Sequence, residues 1–144
     1  MLKGIDPLLN AELLHALASM GHGDEIAIVD ANFPAAANAK RLIRLDGVGS
    51  SGALKAILTL LPLDTFVPTP AHVMQVVGSP STVPDAVKEF RAILAAEGGK
   101  PIEPAAIERH GFYERARRCY AIVATGEQRK YGNIILTKGV ISTD

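Results

Sequence analysis

Short apolar runs of strand length alternate with stretches of helical period along most of this chain. That alternation limits the fold more than any other feature. "EIAIVD" predicts a buried strand over residues 26–30, and "RLIRLD", residues 41–46, alternates polar and apolar as a half-buried strand does. "AHVMQVVG", "CYAIVATG" and "NIILTKGVI" predict three more strands. Helical patterns lie between them. Asn10 is placed to cap "AELLHALASM", with Glu12 in the first turn and Gly21 as the stop. Leu13, Leu14, Leu17 and Ala18 form the apolar face of that helix, with Glu12, His15 and Ser19 opposite. "GALKAILTLL" predicts a helix ended by Pro62. "TVPDAVKEFRAILAAEGG" pairs Thr82 with Asp85 in a capping-box pattern, has Pro84 in its first turn and stops at Gly98. Its apolar stripe is Val83, Val87, Phe90 and Leu94. "FYERARR" is a short helix. Strands alternating with helices predict an α/β domain of three-layer type with a mainly parallel central sheet.

A chain of 144 residues is one domain's worth, and buries enough surface to fold without disulfide or metal staples. Hydrophobic residues at 48% and charged residues at 21% describe a folded globular protein, not a disordered one. Fifteen basic residues balance fifteen acidic ones, which argues against a broad nucleic-acid-binding surface. Cys119 is the sole cysteine, so no intrachain disulfide forms and a reducing, cytoplasmic setting is expected. "MLKGIDPLLNAELL" lacks the pattern of a signal peptide. No apolar run approaches the about 18 residues that a membrane span requires. Mean hydropathy is +0.19 with no tryptophan, so the excess is aliphatic. Such an excess suits a surface partly covered by other copies of the chain.

Local patterns leave several chemistries open. "GVGSSG" fits the G-x-G-x-x-G spacing of a dinucleotide turn, but the acid that should close the following strand is absent, because Asp64 precedes that strand. The plainer reading is a strand-to-helix turn whose amides could still face an anion. His15, His22, His72 and His110 form no metal-binding pair, so no metal is expected. Cys119 opens an apolar strand and reads as a small core residue. His22 lies between Gly21 and Gly23, either a surface turn or an open approach for a ligand. Asp30 ends an apolar strand, either as a turn cap or at the rim where ligands of α/β sheets sit. "ERHGFYERARR" and "TGEQRKYGNIIL" hold the densest polar chemistry. Arg109 with Tyr131, Gly132 and Asn133 supplies the donors and acceptors that sugar hydroxyls need, or a solvated helix face and a hairpin-type turn.

The stretches "LLHALASMGHGDEIAIVDANFP", "FYERA" and "VATGEQRKYGNIILTKGV" resemble the fucose mutarotase and ribose pyranase family of small cytoplasmic sugar isomerases, and the likeness runs end to end. "MGHGDEI" and the arginine before "FYERA" place it nearer the fucose branch. The resemblance implies that residues 1–144 are a single sugar mutarotase domain, assembled into a ring-shaped homodecamer with active sites at subunit contacts. It implies His22 as general acid. It implies Asp30, Arg109, Tyr131, Gly132 and Asn133 as sugar-binding residues, with His110 the alternative to Arg109. His22 and Asp30 are expected at one rim, supplied by one chain or by two.

Such an enzyme interconverts the α and β anomers of L-fucose, or of ribose and related sugars, by acid–base opening and reclosure of the ring. It needs no cofactor, metal or covalent adduct. Histidine exchanges protons near neutral pH, and general acid–base help is worth roughly 10²–10⁴-fold. The alternative is a non-catalytic monosaccharide-binding protein linked to sugar uptake or its regulation. Neither nucleic acid nor membrane is an expected partner.

Overall fold

The fold is that of a computed structural model describing residues 1–97 and 101–144. The strands are β1 (Glu25–Val29), β2 (Leu42–Leu45), β3 (Ala71–Met74), β4 (Ala105–Ile107), β5 (Ala121–Thr125) and β6 (Ile134–Thr137). They form one sheet in the order β2-β5-β1-β6-β3-β4. β2, β5 and β1 run parallel, as do β3 and β4. β6 runs antiparallel to both of its neighbours, β1 and β3. The sheet is thus mostly parallel, as expected, with one reversed strand in its middle. The reversal has a simple cause. Residues 126–133 are all that lies between β5 and β6, too short for the helical crossover a parallel return needs.

Among the described residues, five helices cover the sheet: α1 (Ala11–Ser19), α2 (Ala35–Asn38), α3 (Ser50–Leu58), α4 (Asp85–Glu97) and α5 (Arg109–Arg118). α1, α3 and α4 bury Leu13, Leu17, Leu54, Ile57, Phe90 and Leu94 against Ile26, Ile28, Val123, Ile134 and Leu136. On the other face α2 and α5 bury Ala35, Phe112 and Ala116 against Ala27, Val29, Ile122 and Ile135. The three layers expected from the sequence are present. Strands β1, β5 and β6 are covered on both faces, hence their unbroken apolar runs. β2 lies at an edge, and its Arg44 is exposed between buried Ile43 and Leu45.

Several local expectations change. Asn10 does cap α1, its Oδ1 accepting from Leu13 N at 2.9 Å. Ala16, not Ala18, completes the buried face of that helix. Its end is set by Lys138 rather than Gly21: Nζ donates to the carbonyls of Leu17 (2.7 Å) and Met20 (2.5 Å). The capping box on α4 does not form, since the helix begins only at Asp85 and the Thr82 hydroxyl pairs with Ser79 Oγ at 2.5 Å. Of the expected stripe, Val87, Phe90 and Leu94 are buried, whereas Val83 precedes the helix and is partly buried. Gly98, the expected stop, lies outside the described residues. α2 and β4 have four and three residues, too few for a periodic signal to register. Among the described residues no helix is long and apolar enough to cross a membrane.

Candidate functional site

Because β5 and β6 flank β1, the 126–133 segment must pass over the C-terminal end of β1, where Asp30 emerges. Two main-chain amides join them, one to a carbonyl and one to a side chain. Ala31 N donates to Glu127 O at 2.9 Å, and Asp30 N donates to Asn133 Oδ1 at 2.8 Å. Tyr131 holds φ at +61°, an uncommon conformation for an aromatic residue. Gly132 then presses onto Glu127: a Cβ there would lie 2.6 Å from Glu127 Cγ, so no side chain fits. Asp30 and Asn133 are both buried polar residues. Burial raises the Asp30 pKa above its ordinary value, opposed by backbone amides led by that of Asn32, which donates to Oδ1 at 3.0 Å.

A cleft of about 200 Å³ opens beside this junction. Asp30, Arg109, Tyr131 and Asn133 are among its polar lining residues, and Phe33, Met74 and Val77 are its apolar ones. The phenol of Tyr131 accepts from Val77 N at 3.1 Å, which fixes the ring across the mouth. Arg109, the first residue of α5, donates through Nε to Tyr113 Oη at 3.2 Å. His110 does not line the cleft; it is exposed and meets the edge of Tyr113 with ring centroids 6.4 Å apart. Of the five expected binding residues, Asp30, Arg109, Tyr131 and Asn133 line the cleft. Gly132 shapes the turn between two of them.

His22 lies elsewhere. It precedes β1 and Asp30 follows it, so at about 3.3 Å per strand residue the two stand at opposite ends of the sheet, about 20 Å apart. Of the two arrangements left open, one chain or two, a single chain does not bring both residues to one rim. Gly23 turns the chain into β1 with φ +87°, a conformation that suits glycine, and its amide donates to Lys138 O at 2.8 Å. The imidazole Nε2 lies 3.0 Å from Asp64 Oδ1, and its ring packs at 5.4 Å from that of Phe66. His22 is 45% exposed on its side chain, whereas that of Asp64 is 3% exposed. Asp64 is tied to β6 by its own amide, which donates to Thr137 O at 3.0 Å. The Phe66 amide, then His22, hold the Asp64 carboxyl below its usual pKa. A buried carboxylate fixing an exposed imidazole is an orienting pair for proton transfer. Sequence reasoning weighed Asp64 only as a misplaced ribose ligand. It stands 42 residues from His22, and no local pattern links them.

The remaining candidates resolve plainly. The amides at the start of α3, from "GVGSSG", do face an anion, and it is the chain's own Glu127: Oε2 accepts from Ser50 N (3.2 Å) and Ser50 Oγ (3.1 Å). Cys119 is fully buried, and its thiol is pushed up to about 12 by desolvation, so it is a core residue. His72 sits beside the Glu25–Arg115 ion pair, with its pKa lowered by burial and then by the Arg115 charge.

Polar side chains, among them Asp30, Arg109, Tyr131 and Asn133, meet apolar ones around a small cleft at a strand's C-terminal end, the place where α/β folds hold small ligands. The RbsD / FucU transport protein family matches residues 3–141. The chain is 48% identical over 149 residues to the fucose mutarotase of Homo sapiens, spanning 98% of this chain and 95% of that protein. It is 43% identical over 140 residues to the L-fucose mutarotase of Actinobacillus pleuropneumoniae serotype 5b, spanning 97% of each. The crystal structure of the fucose mutarotase in complex with L-fucose from Streptococcus pneumoniae superposes with a TM-score of 0.92 at 42% identity, covering 98% of this chain and 100% of that one. The chain belongs to the RbsD / FucU family.

Proposed function

We infer that this protein is a sugar mutarotase, an isomerase that interconverts the α and β anomers of L-fucose. The observation that carries this is the near-full-length identity to fucose mutarotases, joined to a cleft lined by both hydroxyl-binding and apolar side chains. A 6-deoxy sugar has hydroxyl groups and a methyl group, and suits such a mixed lining. In the reaction a base takes the proton from the anomeric hydroxyl, an acid protonates the ring oxygen, and the bond between the anomeric carbon and the ring oxygen breaks. The open aldehyde rotates and recloses with the opposite configuration. Opening moves one proton from the anomeric oxygen to the ring oxygen and reclosure returns it, with no change of oxidation state, so no cofactor is needed. We assign the acid to His22, oriented by Asp64, and sugar binding to Asp30, Arg109, Tyr131, Gly132 and Asn133.

The separation of His22 from the cleft favours a site completed between subunits, with one copy supplying the cleft and its neighbour the His22–Asp64 pair. Exposed Phe66 and Val67 beside His22, and Val140 and Ile141 on the last segment, are apolar surface suited to burial between copies. A closed ring, a decamer as in the family's expected assembly, satisfies that contact around a symmetry axis. Residues 1–144 act as one mutarotase domain, and the cytoplasm is the setting that its single buried thiol suits.

Saturation-transfer NMR on L-fucose tests the assignment. The wild type is expected to speed anomer exchange, and His22→Ala to lose it by about 10²–10⁴-fold while keeping its oligomeric state. Unchanged exchange in His22→Ala removes it as the acid. Sugar binding without any exchange by the wild type favours a binding protein instead.

A further inference from the structure

Glu127 and Arg129 do not line the cleft, yet Ala31 and Gly132, the neighbours in sequence of its polar residues, both contact Glu127. The Glu127 side chain is buried, with the residue 7% exposed, and all its polar capacity is used internally. Oε1 accepts from Arg129 Nε (2.9 Å) and from the Arg129 amide (3.1 Å). Oε2 accepts from Arg129 Nη2 (3.0 Å) and from Ser50 at the start of α3. Arg129 also reaches α4, where Nη2 donates to Glu89 Oε2 at 2.8 Å, and Ser51 Oγ donates to the same carboxylate at 2.5 Å. Arg129 thus ties the loop to α4, and Glu127 ties it to α3.

The same residue contacts both halves of the binding site. Its carbonyl receives the Ala31 amide, next to Asp30. Its side chain is the surface on which Gly132 rests, between Tyr131 and Asn133. Tyr131 holds a left-handed φ that only surrounding contacts can keep, and the Glu127 contact with Gly132 is one of them. We propose that Glu127, held by Arg129, is a positioning residue that sets the distance between Asp30 and the Tyr131-to-Asn133 turn, and so governs sugar affinity. This rests on the mutarotase reading of the cleft. Charge matters as well as shape. A carboxylate accepts from Ser50 and Arg129 together, whereas the amide of a glutamine turns two donors toward the guanidinium.

Exchange kinetics on L-fucose with the intact oligomer test the proposal. Glu127→Gln is expected to raise KM about tenfold and change kcat less than about threefold, because the sugar-binding turn is loosened and the His22–Asp64 pair is untouched. Arg129→Met is expected to do the same, and the double variant to be no worse than either single one, since the two act as a unit. Arg129→Lys keeps the charge on a partly exposed side chain, folds whatever becomes of Glu127→Gln, and is expected to recover part of the loss. A KM within about twofold of wild type in Arg129→Met, with only the melting temperature lowered, overturns the proposal. A second readout needs no sugar. In ¹⁵N spectra of the free protein, the Ala31 amide and the Asn133 side-chain amide are expected to shift in Arg129→Met and return toward wild type in Arg129→Lys. Unmoved resonances overturn the proposal even if the wild type proves unable to exchange L-fucose, an outcome that removes the mutarotase reading alone.

Discussion

Asp30 combines two demands that pull against each other. A buried carboxylate costs stability when ionised, yet a carboxylate is the strongest acceptor the cleft offers to hydroxyl groups. Its pKa lies above the ordinary value near 3.8, chiefly through desolvation. An acid with a raised folded pKa binds its proton more tightly in the folded state. Stability therefore falls as pH rises from about 3.8 through the folded pKa, and the deficit persists at neutral pH. Asp30→Asn is expected to melt higher than wild type at pH 7, by about 1 kcal/mol, while binding L-fucose more weakly. The stability difference is expected to shrink as pH falls below 3.8, where the wild-type group is neutral in both states. Thermal melts at several pH values check the first part and a sugar titration the second. Glu127 has the opposite sign. Arg129, its largest influence, holds its carboxyl at about 2, so this group favours folding above the ordinary carboxylate range and stops doing so only as pH falls toward 2.

At the scale of elements, the end of α1 and the start of β1 are held by a residue from the far end of the chain. Lys138 follows β6 and gives its ammonium to two carbonyls left open at the end of α1. Lys138→Met keeps the length of the side chain and removes the donor. It is expected to lower stability by about 1 kcal/mol in a denaturant titration, with His22 exchange rates changed more than cleft affinity. Such ties mark the boundary of what the sequence reveals. The apolar run of β1, its carboxylate ending and the stripe of α4 are local properties, and periodicity reports them. The end of α1 looked like a glycine stop because Gly21 stands there, whereas the group that closes the helix is 118 residues away from Met20. The direction of β6 is equally non-local, although the shortness of the 126–133 connection could have revealed it.

For the whole molecule, the site is legible in unequal parts. Asp30 and Asn133, 103 residues apart, meet only because β6 lies beside β1, so their pairing was carried by resemblance and not by pattern. Asp64 and Glu127 went unassigned because a lone acid in a loop has no period to betray it. The distance between His22 and Asp30 is a property of the folded sheet, and it moves the question from the chain to the assembly. If neighbouring copies complete each site, oligomers assembled from equal amounts of His22→Ala and Asp30→Asn chains are expected to regain about a quarter of wild-type exchange. At a sugar concentration too low to saturate the Asp30→Asn site, each variant alone is expected to stay well below that level, and the same NMR assay reads both. No recovery in the mixture counts against a shared site. β6 has one more consequence, for the order in which the protein comes into being. It is the seam between two half-sheets, β2-β5-β1 on one side and β3-β4 on the other, and it is synthesised after all of them. Until it arrives, the growing chain holds two separate halves whose facing edges, β1 and β3, are unpaired. The 126–133 segment cannot be drawn taut over Asp30 until the seam closes, so a chain still lacking β6 has no cleft. Sheet closure and cleft formation therefore become one late step of folding.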